Sequence, residues 1–299
     1  TGTVYSVEDD YGTSYVYAGA PTDNWVYFAG YYWRIIRING DGSIRMIYNG
    51  TSTTTTGTST QLQTSAYNSS YNDNAYVGYM RGSTGASSYS ATHTNRTDST
   101  IKRIVDIWYE DYIQGTQYEQ YISTEQGFCN DRQTKSVVIQ GITPITLGTS
   151  GYGTNATGYA PYGRLYENSA WKTSQTPSLK CSQTNDYFTV SGSSRGNHAL
   201  DYPIGLITSD EVVLAGGFGG TSNSSYYLYT NQYYWTMSPS YFVGSIAYVF
   251  NVFSDGVLGT GDVSGTYVDY AYGVRPVLNL DASVTLTGSG TTSSPYRVS

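Results

Sequence analysis

The chain has 299 residues, only 12% of them charged against roughly 25% in an average soluble domain, and its 34 Tyr and 34 Gly take up the difference. A net charge of −7, with no basic cluster longer than Lys102-Arg103, argues against nucleic-acid binding. No apolar run approaches the ~18 residues of a membrane span, and a surface of hydroxyls, amides and tyrosine tips suits an extracellular or cell-surface protein.

Residues 1–20 are polar and Tyr-rich, with short β-like pieces at Val4-Tyr5-Ser6-Val7 and Tyr15-Val16-Tyr17 divided by Glu8-Asp9-Asp10. The segment has too few apolar residues to hold itself in place. It reads as an extended arm, with Val4, Tyr5, Val7, Tyr15, Val16 and Tyr17 as its candidate assembly contacts. Residues 21–299 then form one mixed domain, opened by a hairpin over 24–48. Trp25-Val26-Tyr27-Phe28 and Tyr31–Ile38 lead into Asn39-Gly40-Asp41-Gly42, which tolerates the positive φ angles of a tight turn, and Ser43–Tyr48 returns. Alternation in Trp33-Arg34-Ile35-Ile36-Arg37-Ile38 is imperfect, so both faces of that strand are expected to be partly covered.

Thr51–Thr64 is low-complexity loop, and Ala75–Met80 is a candidate buried strand. Asp98–Tyr112 is the clearest helix. Asp98 or Ser99 caps it, and Ile101, Ile104, Val105, Trp108 and Tyr112 form one apolar stripe, leaving Lys102, Asp106, Glu110 and Asp111 elsewhere. Core packing accounts for that stripe better than a partner face does. Ser136–Ile145 carries a short strand, as does Tyr187–Val190. Pro203–Ile207 reads as an apolar strand feeding a second helix, Asp210–Ala215, capped by Thr208 or Ser209 and ended by Gly216-Gly217.

Order concentrates in Tyr233–Leu280. Tyr233–Met237, ended by Ser238-Pro239-Ser240, Ile246–Phe253 and Gly273–Leu280 read as the strands of a central antiparallel sheet. Pro276 is expected at an edge, bulge or strand start because it has no N–H for a ladder. The four tryptophans Trp25, Trp33, Trp108 and Trp235 are expected inside, and Arg275 hydrogen-bonded where it leaves its strand. Ser283–Thr287 and Tyr296-Arg297-Val298 close the chain.

The run YPIGLITSDEVVLAGG, the YYWTMSPS segment, the SDG turn, YGVRPVLNL and the opening hairpin together resemble an uncharacterised domain family of secreted Gram-positive bacterial proteins. That family is similar in layout to C-type-lectin-like folds, including the formylglycine-generating-enzyme branch. The resemblance implies an α+β, C-type-lectin-like domain of short antiparallel strands, two main helices and long polar loops. A fold of this kind hosts binding, catalysis and assembly alike.

Chemistry-bearing motifs are few. Formylglycine-generating enzymes use paired cysteines near the C-terminal end, and here no cysteine follows Cys181. Cys129 and Cys181, without the spacing of a zinc site, are expected to form a disulfide closing a loop of about 50 residues. His93 and His198 sit in loop-like sequence, and the Gly217–Ser224 run lacks the Lys of a phosphate loop. Asp255 and Asp262 flank a Gly-rich turn without the clustered carboxylates of a calcium site. No catalytic residue, metal or cofactor is assigned. Tyr226, Tyr227, Tyr229 and Tyr233 are the candidate ligand contacts, as faces on which a glycan could stack. The leading expectation is a structural subunit of a self-assembling surface filament or layer, with other copies of the chain as partners. The alternative is a surface adhesin or lectin-like module binding host or glycan ligands, and last an enzyme of formylglycine-generating-like ancestry.

Overall fold

Two six-stranded sheets organise the chain. The structure, a computed structural model, describes residues 2–139, 144–166, 175–260 and 267–299. It is mostly strand, with 32% of residues in strands and 15% in helices. The first sheet holds β1 (Gly2–Asp9), β2 (Gly12–Gly19), β3 (Trp25–Phe28), β4 (Tyr31–Ile38), β5 (Ile44–Tyr48) and β8 (Val277–Leu280). Its order is β1-β2-β4-β5-β8, with β3 also paired to β4. The second is built on β6 (Tyr234–Val243) and β7 (Ile246–Val252), extended by the short strands Thr64–Ser65, Thr157–Gly158, Leu258–Gly259 and Tyr272–Gly273. The three longest helices are α1 (Thr100–Tyr112), α2 (Ala160–Leu165) and α3 (Ser209–Ala215). One continuous cluster of buried side chains joins both sheets and all three helices.

Local chemistry explains the opening hairpin. Asn39 O accepts from Gly42 N at 2.8 Å, Asp41 Oδ1 from Ser43 N at 2.9 Å, and Gly42 takes the positive φ (89°) that closes the β4–β5 turn. A register shift between Ile35 and Arg37 breaks the alternation of β4, and Trp33 through Arg37 are all buried. α1 lies on this sheet, where the Trp108 ring meets those of Tyr31, Trp33 and Tyr48 at 5.4–5.9 Å. Trp25, Trp33, Trp108 and Trp235 are all buried. Ser99 caps α1 by accepting from Lys102 N, and Thr208 and Glu211 form a reciprocal capping box at α3 before left-handed Gly216 ends it.

Several expectations need correction. Tyr233–Leu280 does not form one sheet: β6 and β7 lie in the second and β8 in the first, where it pairs with β5. Gly273–Leu280 is therefore two strands, and Pro276 precedes the start of β8. Pro239 does not end its strand. β6 runs through it with register shifts on both sides, between Trp235 and Pro239 and between Pro239 and Tyr241, which absorb the missing N–H. Ala75–Met80 is a 3-10 turn (Asn74–Val77) followed by the two-residue strand Met80–Arg81. Pro203–Ile207 forms only a bridge, Gly205 to Val277. Ser136–Ile145 contains strand at Val137–Ile139, and Ile145 opens the strand Ile145–Leu147 paired to it; residues 140–143 lie outside the described residues.

The largest correction concerns the arm. β1 and β2 form a hairpin in register from Gly2↔Gly19 to Asp9↔Gly12, and β2 continues the chain's own sheet through Tyr15↔Ile38 and Val16↔Arg37. The period of two places Tyr5, Val7 and Val16 on the inner face, with Val16 fully buried, and Val4, Tyr15 and Tyr17 on the other. That inner face is the apolar set the linear sequence concealed. The Tyr5 hydroxyl reaches Leu214 O at the end of α3, and Tyr227 N donates to Gly19 O at 2.8 Å. No neighbouring copy is needed to order these residues.

Cys129 and Cys181 form the expected disulfide, 52 residues apart. In the chain-entropy model a loop of that length contributes about 4 kcal/mol. Replacing both cysteines by serine is expected to lower the unfolding free energy in urea by up to that amount; an unchanged midpoint would show that other contacts already hold the loop.

Candidate functional site

Arginines inside a fold must find compensation, and their partners divide this protein's buried charge into two kinds. The first kind forms a network beneath the β1–β2 turn. Asp9, at the end of β1, accepts from Tyr11 N (2.7 Å), Ser14 Oγ (2.6 Å), Gly40 N (2.9 Å) and Arg37 Nη1 (2.8 Å). Arg37 Nε then donates to Glu211 Oε1 at 3.1 Å, and Arg45 Nε lies 2.5 Å from the same oxygen in an ion pair without hydrogen-bond alignment. Beside them Arg164 pairs with Asp131 (2.6 Å) and Asp210 (2.6 Å). Burial alone would raise Glu211, but Arg45 and Arg37 hold it below the usual range; Asp9 is held down by its hydrogen bonds and Arg37 against the same burial. The cavity these groups line measures about 30 Å³, which admits water and nothing larger. Asp9, Arg37, Arg45, Glu211, Arg164, Asp131 and Asp210 all have charged partners, so the network acts as an anchor for the hairpin.

A second cluster has the carboxylates of a metal centre with a lysine among them. Asp98, Asp106 and Asp201 converge within 4.8 Å, but Lys102 Nζ occupies their centre at 3.3, 2.5 and 3.3 Å. Lys102 and Asp106, expected off the apolar stripe of α1, are both buried because each neutralises the other. Burial pushes Asp106 up to about 6 despite the ammonium beside it. His93 is buried against Tyr89 (3.8 Å, stacked), and burial drives its imidazole down to about 2, so it stays neutral. Asp255 serves its turn, accepting from Ser222 Oγ and Val257 N; Asp262 lies outside the described residues.

The second kind of arginine has no carboxylate. Arg34 and Arg275 are 3% and 0% exposed, and among the described residues neither is ion-paired. Arg275 donates to Tyr48 O, Thr60 O, Leu228 O and Asn49 Oδ1 at 3.2–3.4 Å and lies over the Tyr234 ring, which accounts for its expected hydrogen bonding. Arg34 Nε and Nη2 donate to Asn24 Oδ1 (2.8 and 2.5 Å) and Nη2 also to Pro21 O (3.0 Å). Its Nη1 has no acceptor among the described residues. The guanidinium stacks 4.1 Å from the Trp25 centroid and 5.3 Å from that of Tyr227. Burial, with Arg275 adding repulsion, lowers Arg34 to about 10, so it remains charged at neutral pH.

Arg34 lines a cleft of about 420 Å³ with Trp25, Tyr226, Tyr227 and Tyr229. Its rim is hydroxylic: Thr22, Thr55, Ser224, Ser225, Thr291 and Thr292. Three of the four candidate ligand tyrosines therefore meet here, although not as expected. Tyr226 and Tyr227 are buried, Tyr226 donating to Gly256 O at 3.0 Å and the Tyr227 hydroxyl having no hydrogen-bond partner among the described residues, so neither is an open stacking face; Tyr229 is half-buried. Tyr233 is elsewhere, stacked on Tyr272 at 4.9 Å. Sequence reasoning missed Arg34. Its signal was an arginine within a strand whose two faces were both expected to be covered. Of the expected assembly residues, Val4 (49% exposed) and Tyr15 (51%) stand open, whereas Val16 is buried and Tyr5, Val7 and Tyr17 are partly so.

Comparison with known proteins finds no match: no family model, no curated protein and no solved structure is similar to this chain.

The network makes a pH prediction. Glu211 is held below its ordinary value of 4.5, so its contribution is present above about pH 4.5 and is lost as pH falls through its folded value. Glu211→Gln strands Arg45 and Arg37 and is expected to lose about 3–5 kcal/mol at pH 7, the usual loss on breaking a buried pair. In urea unfolding the gap between variant and parent should narrow by pH 3. A gap independent of pH would assign the loss to shape rather than charge.

Proposed function

We propose that the protein is an extracellular binding module and that the Arg34 cleft holds its ligand, a glycan. The cleft carries this reading: its volume suits one or two sugar rings, and it combines aromatic walls, a hydroxylic rim and a fixed charge at its base. Ordering of the first hairpin by the chain's own sheet removes the main motive for a filament subunit and moves binding ahead of assembly. The lectin-like assignment belongs to the same proposal. It is supported by the mostly-strand α+β composition and by Pro203–Ile207 leading into capped α3. The disulfide is compatible with secretion, and no described helix is long and apolar enough to cross a membrane.

Binding of the purified protein to a broad glycan array tests the reading. Tyr229→Ala should weaken any hit by about tenfold, the equivalent of ~1.4 kcal/mol of lost ring contact. An array without hits, or hits indifferent to Tyr229, would remove the glycan reading.

Self-assembly is the second reading, and one observation favours it. β1 is the outermost strand of its sheet, and Val4 and Tyr15 share its open face. An edge of this kind accepts a further strand, which a second copy could supply. Such a contact should bury well over about 1,000 Å². Light scattering at high concentration is expected to show oligomers that Val4→Lys dissolves; a monomer throughout would leave binding as the sole reading.

A further inference from the structure

We infer that the ligand of the Arg34 cleft carries a carboxylate: it is an acidic sugar of the uronic- or sialic-acid type, with its carboxylate on Arg34 and its ring against the half-open Tyr229. This deepens the binding-module reading and rests on it.

The contrast among buried cations carries the inference. Arg37, Arg45, Arg132 and Lys102 each pair with an aspartate or glutamate, as does the half-buried Arg164. Arg34, itself 3% exposed, has only an amide and a main-chain carbonyl, and its Nη1 has no acceptor among the described residues. The carboxylate that the fold supplies to those cations is missing at Arg34, which lines the cleft. Arg275, also without a carboxylate, is close enough to act on Arg34 electrostatically, so the ground beneath the cleft carries two uncompensated positive charges. Guanidinium N–H groups match the geometry of a carboxylate, and desolvation strengthens that pairing.

A sugar, rather than a bare anion, fits the remainder of the cleft. Trp25 and Tyr227 lie against the guanidinium, Tyr229 is half-open, and hydroxyls from four separate segments line the cleft. A small anion would leave most of the 420 Å³ and all of those hydroxyls unused.

Titration calorimetry with methyl glucuronide, methyl glucoside and sodium acetate separates the terms. The glucuronide is expected to bind at least tenfold more tightly than either control. Arg34→Gln should abolish that preference while Arg34→Lys retains part of it. Because Arg34 is buried, Ser225→Trp provides a second arm: it fills the exposed mouth without touching the core and should block the glucuronide in a fully folded protein. Equal binding of glucoside and glucuronide, unaffected by Arg34→Gln but blocked by Ser225→Trp, would overturn the carboxylate inference and leave the glycan reading standing. Acetate binding as tight as the glucuronide would overturn the sugar assignment. Binding unchanged by Ser225→Trp, or no binding of any of the three ligands, would overturn the inference, and the array decides the broader reading separately.

Discussion

Glu211 is the residue on which the architecture turns. Its carboxylate closes the capping box of α3, receives Arg37 from β4 and Arg45 from β5, and through Arg37 reaches Asp9 at the tip of the first hairpin. Four elements distant in sequence thereby share one buried charge system. A helix cap alone contributes about 1 kcal/mol. Coupling the cap to two guanidinium ions makes each element's position a condition for neutralising the others. Directional partners of this kind favour one arrangement of β1–β2 over β4 where apolar contact would tolerate several.

Burial of charge is unusually frequent for a chain with so little of it. Thirteen of the 37 charged side chains are buried among the described residues, while tyrosine hydroxyls and Ser/Thr/Asn side chains wet the surface. Tyrosine also supplies much of the core: Tyr67, Tyr79, Tyr159, Tyr162 and Tyr234 are fully or almost fully buried, with Tyr159 donating to Asn74 Oδ1 and Tyr234 to Leu228 O. Tyr159 and Tyr234 thus pack like phenylalanine and still complete a hydrogen bond, Tyr234 covering the Leu228 carbonyl, whereas the Tyr67 and Tyr79 hydroxyls have no hydrogen-bond partner among the described residues.

The two arginines outside this economy of pairs are informative because their environment is otherwise complete. Arg275 donates to three carbonyls and an amide and is a structural clamp between β5 and the 228 loop. Arg34 uses two of its nitrogens in the same way, and the cleft lies against what remains. The same residue type in one buried layer thus takes a structural or a binding character according to whether the surrounding acceptors exhaust its donors.

Local signals determined much of this protein from the sequence alone. The β4–β5 hairpin follows from Asn-Gly-Asp-Gly, α1 and α3 from their caps and apolar period, the disulfide from the presence of only two cysteines, and the interior position of four tryptophans from sheer apolar area. These depend on neighbours in sequence or on composition, which a linear reading sees. What the tertiary structure alone decided was pairing across distance. It placed β8 beside β5 rather than beside β7, folded residues 2–19 onto β4, drew Lys102 and Asp106 into the interior, and gathered Arg34, Tyr226, Tyr227 and Tyr229 at one cleft. Except for Lys102 and Asp106, four residues apart on α1, the position of each group rests on a partner tens to hundreds of residues away. Whether an arginine finds a carboxylate, as Arg37 does and Arg34 does not, is a property of the packed chain and is written in no local pattern.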